Sequence, residues 1–217
     1  MRFACATFAA CAVFAGCATA PKSDPPADDG LVLVPNSLLD ELYVAPGVSL
    51  ANYKRVMVEP VEITFEDGWR KQHPDLSDRD YEGFRKRLTE MFHEKLVAEL
   101  ARGGYTIAES PEKDVLRVRP SLEKVNFAAP ESAPEKKTLA RVDGEMTLNV
   151  QGFDGPSGAL VARAKDFEED FDKDQLKRAD RTTAMVHAER IFEKWAEELR
   201  SALDVAKVSA GARHPQQ

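Results

Sequence analysis

The sequence predicts an α+β fold: a two-layer sandwich in which a mixed, largely antiparallel sheet of about five strands is covered by two long helices. Two observations carry this. Apolar residues recur at helical spacing in two separate stretches, at Tyr81, Phe84, Leu88, Met91, Phe92, Leu96 and Leu100, and at Met185, Ala188, Ile191, Phe192, Trp195, Leu199 and Leu203. Between them the pattern switches to strict alternation, with Leu116, Val118 and Leu122 set against Arg117, Arg119 and Glu123. That describes strands with one wet face.

Along the chain, Leu31 to Leu50 is apolar but interrupted by Pro35, Asn36, Pro46 and Gly47, and reads as an extended segment laid on the domain. A strand follows in which Val56 and Val58 share one face and Val61, Ile63 and Phe65 the next. The phase slips by one residue at Glu59-Pro60, so Pro60 marks a bulge or an edge. Ser77 with Asp80 forms a capping-box-like start for the first helix, which runs to Gly103-Gly104. Tyr105 to Ala108 is a short strand, and Val115 to Phe127 a longer one. After the Pro-rich loop Ala128 to Lys137, Ala140, Val142, Met146, Leu148 and Val150 alternate. Asp154-Gly155-Pro156-Ser157-Gly158 turns the chain into Ala159 to Phe167, a hairpin partner. The second helix spans about Thr182 to Lys207. Strand, helix, four strands, helix implies a parallel β-α-β crossover followed by antiparallel strands, with both helices free to cover one sheet face.

The N-terminus says where such a domain works. Arg2 is a minimal positive n-region, Phe3 to Phe14 is an apolar run too short to span a bilayer, and Phe14-Ala15-Gly16-Cys17 closes it in the manner of a lipoprotein cleavage site. Residues 1–16 are then a signal peptide, Cys17 the lipidated first mature residue, and 17–30 the anchor and tether. Cys5 and Cys11 leave with the leader, so the odd cysteine count resolves into one acylated thiol and no disulfide. By resemblance to other bacterial lipoproteins, the sulfur receives a diacylglyceryl group and the new amino terminus a further acyl chain such as palmitate. Ala18 after the cysteine points to the outer membrane, periplasmic face. Cleavage after Ala18-Thr19-Ala20 is the alternative and would leave a soluble periplasmic protein.

The Pro- and Asp-rich stretch Ala18 to Gly30 cannot bury apolar surface; as a coil it spans about 20 Å, and at most about 45 Å extended. Residues 31–208 are sized for a single α+β domain, and Ser209 to Gln217 form a disordered polar tail. Thirty basic against 37 acidic side chains give a net charge of −7. No basic cluster offsets it, which argues against nucleic acid and against anionic lipid surfaces.

Few residues carry the marks of chemistry. His73, His93, His187 and His214 have no metal-ligand spacing; His93-Glu94 opens like a zinc-protease motif, but Val97 stands where the second histidine belongs. His93 and His187 read as helix-surface residues. Asp170, Asp172 and Asp174 match the first three ligands of a calcium loop, yet Gln175 replaces the turn glycine and Arg181 the bidentate glutamate. They are weak cation candidates at a solvated strand end. No serine stands in a nucleophile elbow, so no cofactor and no catalysis are expected. Trp69, in the polar stretch Glu66 to Asp75, is the weak candidate for a partner contact, its alternative being to fold back on the sheet edge.

Leu42-Tyr43-Val44-Ala45-Pro46-Gly47, followed by Tyr53-Lys54-Arg55-Val56-Met57-Val58-Glu59-Pro60-Val61-Glu62, resembles a bacterial lipoprotein family catalogued as a domain of unknown function, number 3313. The resemblance continues through the Val142 to Arg163 hairpin and the Ala188 to Leu203 helix. It implies a lipoprotein and brings no catalytic residues. The element order is also similar to small envelope domains that regulate cell-wall synthases or assist transport and assembly machines, an analogy of fold alone. Three functions are therefore in play. The favoured one is a non-enzymatic accessory protein that docks on a periplasmic protein partner; a module binding a lipid or other hydrophobic ligand between helices and sheet comes second, and an envelope hydrolase third. A continuous apolar pocket would favour the ligand, a flat apolar patch docking, and buried carboxylates converging in a cleft an enzyme.

Overall fold

The computed structural model describes residues 29–127, 143–171 and 181–211. The leader, Cys17, most of the tether, the Pro-rich loop, Asp172, Asp174 and His214 lie outside them. In chain order the strands are β1 (Val32–Leu33), β2 (Glu41–Val44), β3 (Arg55–Val58), β4 (Glu62–Phe65), β5 (Thr106–Ile107), β6 (Val115–Asn126), β7 (Asp143–Asp154) and β8 (Leu160–Phe171). The helices are α1 (Trp69–Gln72) and α2 (Asp78–Arg102), both between β4 and β5, and α3 (Arg181–Gly211) after β8.

All eight strands join one mixed sheet, in the order β1-β2-β8-β7-β6-β3-β5, with β4 also on β6. β3, β4 and β6 run parallel across the α2 crossover, and β6, β7, β8, β2 and β1 are antiparallel in turn. Eight strands replace the expected five for two reasons. Leu31 to Leu50 is not merely laid on the domain: β2 pairs with β8 and β1 with β2, because Leu42 and Val44 continue the buried face beside Ala164 and Ala162. The strand through Pro60 is divided in two. Val58 faces Val118 and Glu62 faces Ser121, so four residues on one strand span three on the other. That extra residue is the bulge the sequence calls for, placed where Pro60 has no amide to contribute.

Ser77 caps α2 as its pattern suggests. Its Oγ accepts from the Asp80 amide at 3.2 Å and donates to the Asp80 carboxylate at 2.6 Å. From α2, Phe84, Leu88, Phe92, Leu96 and Leu100 meet Ala188, Ile191, Phe192, Trp195 and Leu199 from α3 over one sheet face, which supplies Val56, Ile63, Leu116, Val118, Leu122, Met146, Leu148 and Val150. Phe92 lies 5.1 Å from Phe192, Lys95 bonds Glu189 and Glu193 at 2.7 and 2.6 Å, and Arg200 donates to Glu99 at 2.6 Å. These pairings climb both helices together, so α2 and α3 run side by side in the same direction. α3 continues to Gly211, which makes Ser209 to Gly211 helical rather than tail.

The opposite sheet face is polar. Glu59 accepts from Arg117 at 2.9 Å and Arg119 at 2.7 Å, Arg119 lies 4.9 Å from the Phe153 ring, and Arg163 pairs with Asp29 at 2.9 Å while lying 4.8 Å from the Tyr43 ring.

Candidate functional site

Residues singled out from the sequence do not converge. Trp69 is not an exposed contact. Its indole is only 1% exposed, stacks 4.5 Å from Phe65 and donates from Nε1 to the Phe127 carbonyl at 2.8 Å. Gly68, at φ 84, lets the chain turn into α1 and carry Trp69 inward, so an aromatic flanked by polar neighbours still reaches the core. Asp170 faces Gly144 in the β7–β8 ladder. His73 Nδ1 lies 2.7 Å from the Trp69 carbonyl oxygen, His93 is half-buried on α2, and His187 is buried on α3 rather than on its surface. Among the described residues no group of three His, Cys, Asp or Glu side chains could hold a metal ion, and no helix is long and apolar enough to cross a membrane.

What the chain does build is an apolar groove. One wall is the β1–β2 hairpin with the turn Pro35 to Leu38. The other is the loop from Ala45 to Ser49, and the floor combines Leu42 and Leu50 with Ala202 of α3. Its volume is about 650 Å³, within the usual range for small-molecule sites. Behind it lies a smaller apolar cavity of about 50 Å³ between the helices and the sheet, bounded by Leu96, Leu100, Leu116 and Val150 and sharing Leu42, Leu50 and Ala202 with the groove. The two spaces share a floor. Four large side chains, Val32, Leu33, Leu38 and Val205, line the groove yet stay 54%, 37%, 67% and 62% exposed.

Local chemistry fixes these walls. Asn36 at φ 59 turns the chain between β1 and β2, and Gly47 at φ 75 turns it again after β2. The Val34 amide donates to Leu42 O at 2.7 Å and the Ala45 amide to Val161 O at 2.9 Å. Asp166 is the keystone. Its carboxylate, 3% exposed, accepts from the Asp40 amide at 2.8 Å and from Trp195 Nε1 at 2.8 Å, while Asp40 accepts from the Phe167 amide at 3.0 Å. One buried acid thereby ties the groove wall, β8 and α3 together. Nearby, burial pushes the Glu198 carboxyl above its usual range against the pull of Lys194, and Glu198 Oε2 has no hydrogen-bond partner among the described residues. Neither Asp166 nor Glu198 lines the groove or the inner cavity.

The groove escaped the sequence reading because its residues are hydrophobic without period. A signal was present: Leu31 to Leu50 holds more apolar side chains than one strip of chain can bury, and Pro35 and Pro46 interrupt it at the places where the walls turn.

Residues 32–199 match the family described as "Protein of unknown function (DUF3313)". The chain belongs to that family. The match begins at β1 and so takes in the groove hairpin as well as the helices and sheet. No curated protein matches the chain. Similar solved structures include the PelC dodecamer of Paraburkholderia phytofirmans, at 15% identity and a TM-score of 0.41, covering 72% of this chain and 96% of that one. A candidate lipoprotein of Caulobacter crescentus is 18% identical at a TM-score of 0.38, covering 76% and 96%. A candidate neuraminyllactose-binding hemagglutinin homologue of Helicobacter pylori is 15% identical at 0.37, covering 76% and 92%. At such scores these likenesses carry no argument about function.

Proposed function

We propose that this protein is a non-enzymatic envelope lipoprotein, anchored in the outer membrane through Cys17 and facing the periplasm, whose groove takes one long acyl chain. The groove itself carries this reading. Its lining is mostly apolar, it opens to solvent, and it shares Leu42, Leu50 and Ala202 with a smaller apolar cavity between the helices and the sheet. A volume of about 650 Å³ falls within the range of sites that bury a whole small molecule, room for one long hydrocarbon chain. Docking through the sheet draws less support, because the open sheet face is charged and already self-paired through Glu59, Arg117 and Arg119.

The test is a titration of the unacylated chain from Ala18, which lacks the leader and Cys17, with the fluorescent fatty acid cis-parinaric acid. The expected result is saturable binding in the micromolar range. Ala202→Trp sets an indole on the groove floor and should weaken that binding at least tenfold with the fold retained. Absence of saturable binding, or binding indifferent to Ala202→Trp, would reject the acyl-chain reading.

A further inference from the structure

We infer that the mouth of the groove is a membrane-seating face: its apolar rim dips into a zwitterionic phospholipid leaflet, where the groove meets the acyl chains. This deepens the proposal above and rests on it, both for the acyl chain and for the lipid at Cys17.

Three observations converge on this. Six large apolar side chains are exposed among the described residues, and four of them, Val32, Leu33, Leu38 and Val205, stand around this one opening. Exposed apolar residues scattered singly are ordinary, but such a cluster around a cavity marks an interaction surface. The second observation is where the chain comes from. Asp29, the first described residue, lies three positions before Val32, and Cys17 only twelve before Asp29. A tether of that length averages about 20 Å as a coil. An acylated Cys17 therefore holds the rim, rather than the far end of the domain, against the bilayer.

The third is electrostatic, and it selects the lipid. Asp29, Asp40, Glu41 and Asp204 lie within a few residues of the rim, and the chain carries a net charge of −7. Among the nearby bases, Arg163 is paired with Asp29, and Arg200 with Glu99 and Asp204; Lys165 stands opposite Glu41 in the ladder and Lys207 two positions beyond Val205, so the rim is close to balanced and the repulsion comes from the net charge of the whole chain. A domain of that net charge, with no basic excess at the rim, is repelled by anionic headgroups. Insertion of its apolar side chains is favoured on a leaflet without net charge, such as one of phosphatidylethanolamine.

The acylated full-length mature protein tests this in vesicles of phosphatidylethanolamine and phosphatidylcholine. With Cys5 and Cys11 removed with the leader and Cys17 acylated, an introduced cysteine is the sole free thiol. A polarity-sensitive nitrobenzoxadiazole label is placed on Leu38→Cys, on Val205→Cys, or on Lys86→Cys as a control. Lys86 is exposed near the start of α2, nearly thirty ångströms along the helix pair from Val205 at 1.5 Å per residue. The expected result is a blue shift with severalfold brightening at both rim sites, quenched by brominated acyl chains, with the Lys86 label unchanged. Adding anionic lipid should weaken the rim signal. Equal spectra at all three sites, or a rim signal that grows with anionic lipid, would overturn the inference. Failure of cis-parinaric acid to bind in solution together with a positive rim signal would reject the groove ligand and leave the seating face standing. Binding in solution without a rim signal would do the reverse.

Discussion

Single buried acids decide much of the local order, and they do so in opposite directions. Asp166 is satisfied by the Trp195 indole and the Asp40 amide, whereas burial raises Glu198, whose Oε2 has no partner among the described residues. A carboxyl whose folded value is raised favours the protonated form, so its contribution is fully present below the unfolded value, about 4.3, and is lost as pH rises through the folded one. Glu198→Gln should therefore raise the thermal midpoint at pH 7, at about 2–4 °C for each kcal/mol recovered. Calorimetry across pH should show the gain vanish below pH ~4. At this scale the sequence was least legible. Trp69 sits among Glu66, Asp67, Arg70 and Lys71, and only the turn at Gly68 reveals that it points inward. His187 is 2% exposed although nothing in its type or neighbours marks it for burial.

Elements were more legible where a period runs long. The stripes of α2 and α3, the Ser77 cap, the slip at Pro60 and the turn from Asp154 to Gly158 are all local patterns, and local patterns survive folding. β1 and β2 were missed because two- and four-residue strands give no countable alternation; their pairing depends on β8, more than a hundred residues away. The turn after β7 yields a sharp expectation. A Cβ on Gly155 would stand 2.6 Å from the Glu112 carbonyl oxygen and 2.8 Å from that of Val115, both backbone atoms with little room to give. Gly155→Ala should cost about 1–3 kcal/mol through overpacking, read as a lower denaturant midpoint at unchanged slope. A neutral result would show that this turn moves freely against β6.

Across the whole molecule, two carboxylates act as hubs for arginines. Burial opposes ionisation of Glu59 and of Glu99, but Arg119 and Arg117 on the first, and Arg200 and Arg102 on the second, hold both carboxyls below the usual range. A depressed carboxyl contributes stability that is present above the unfolded value of about 4.3 and is lost as pH falls through the folded one. The thermal midpoint should accordingly drop as pH falls below about 4, and a Glu59→Gln, Glu99→Gln double variant should begin lower and fall less steeply. Equal acid sensitivity in the variant would mean that other groups govern acid unfolding. The overall class, α+β with helices over one face of a mixed sheet, could be read from the order of elements; the groove could not, since it arises only where the N-terminal hairpin meets the far end of α3.

That meeting has a kinetic side. Glu41 pairs with Lys165, so the hairpin that walls the groove must wait for a strand made near the end of the chain, while β7 and β8 close on each other through a short turn. Long loop closure costs entropy before any contact repays it. The hairpin nearest the tether is thus expected to dock late, a latch that the Asp166 carboxylate fastens to β8 and α3 at once.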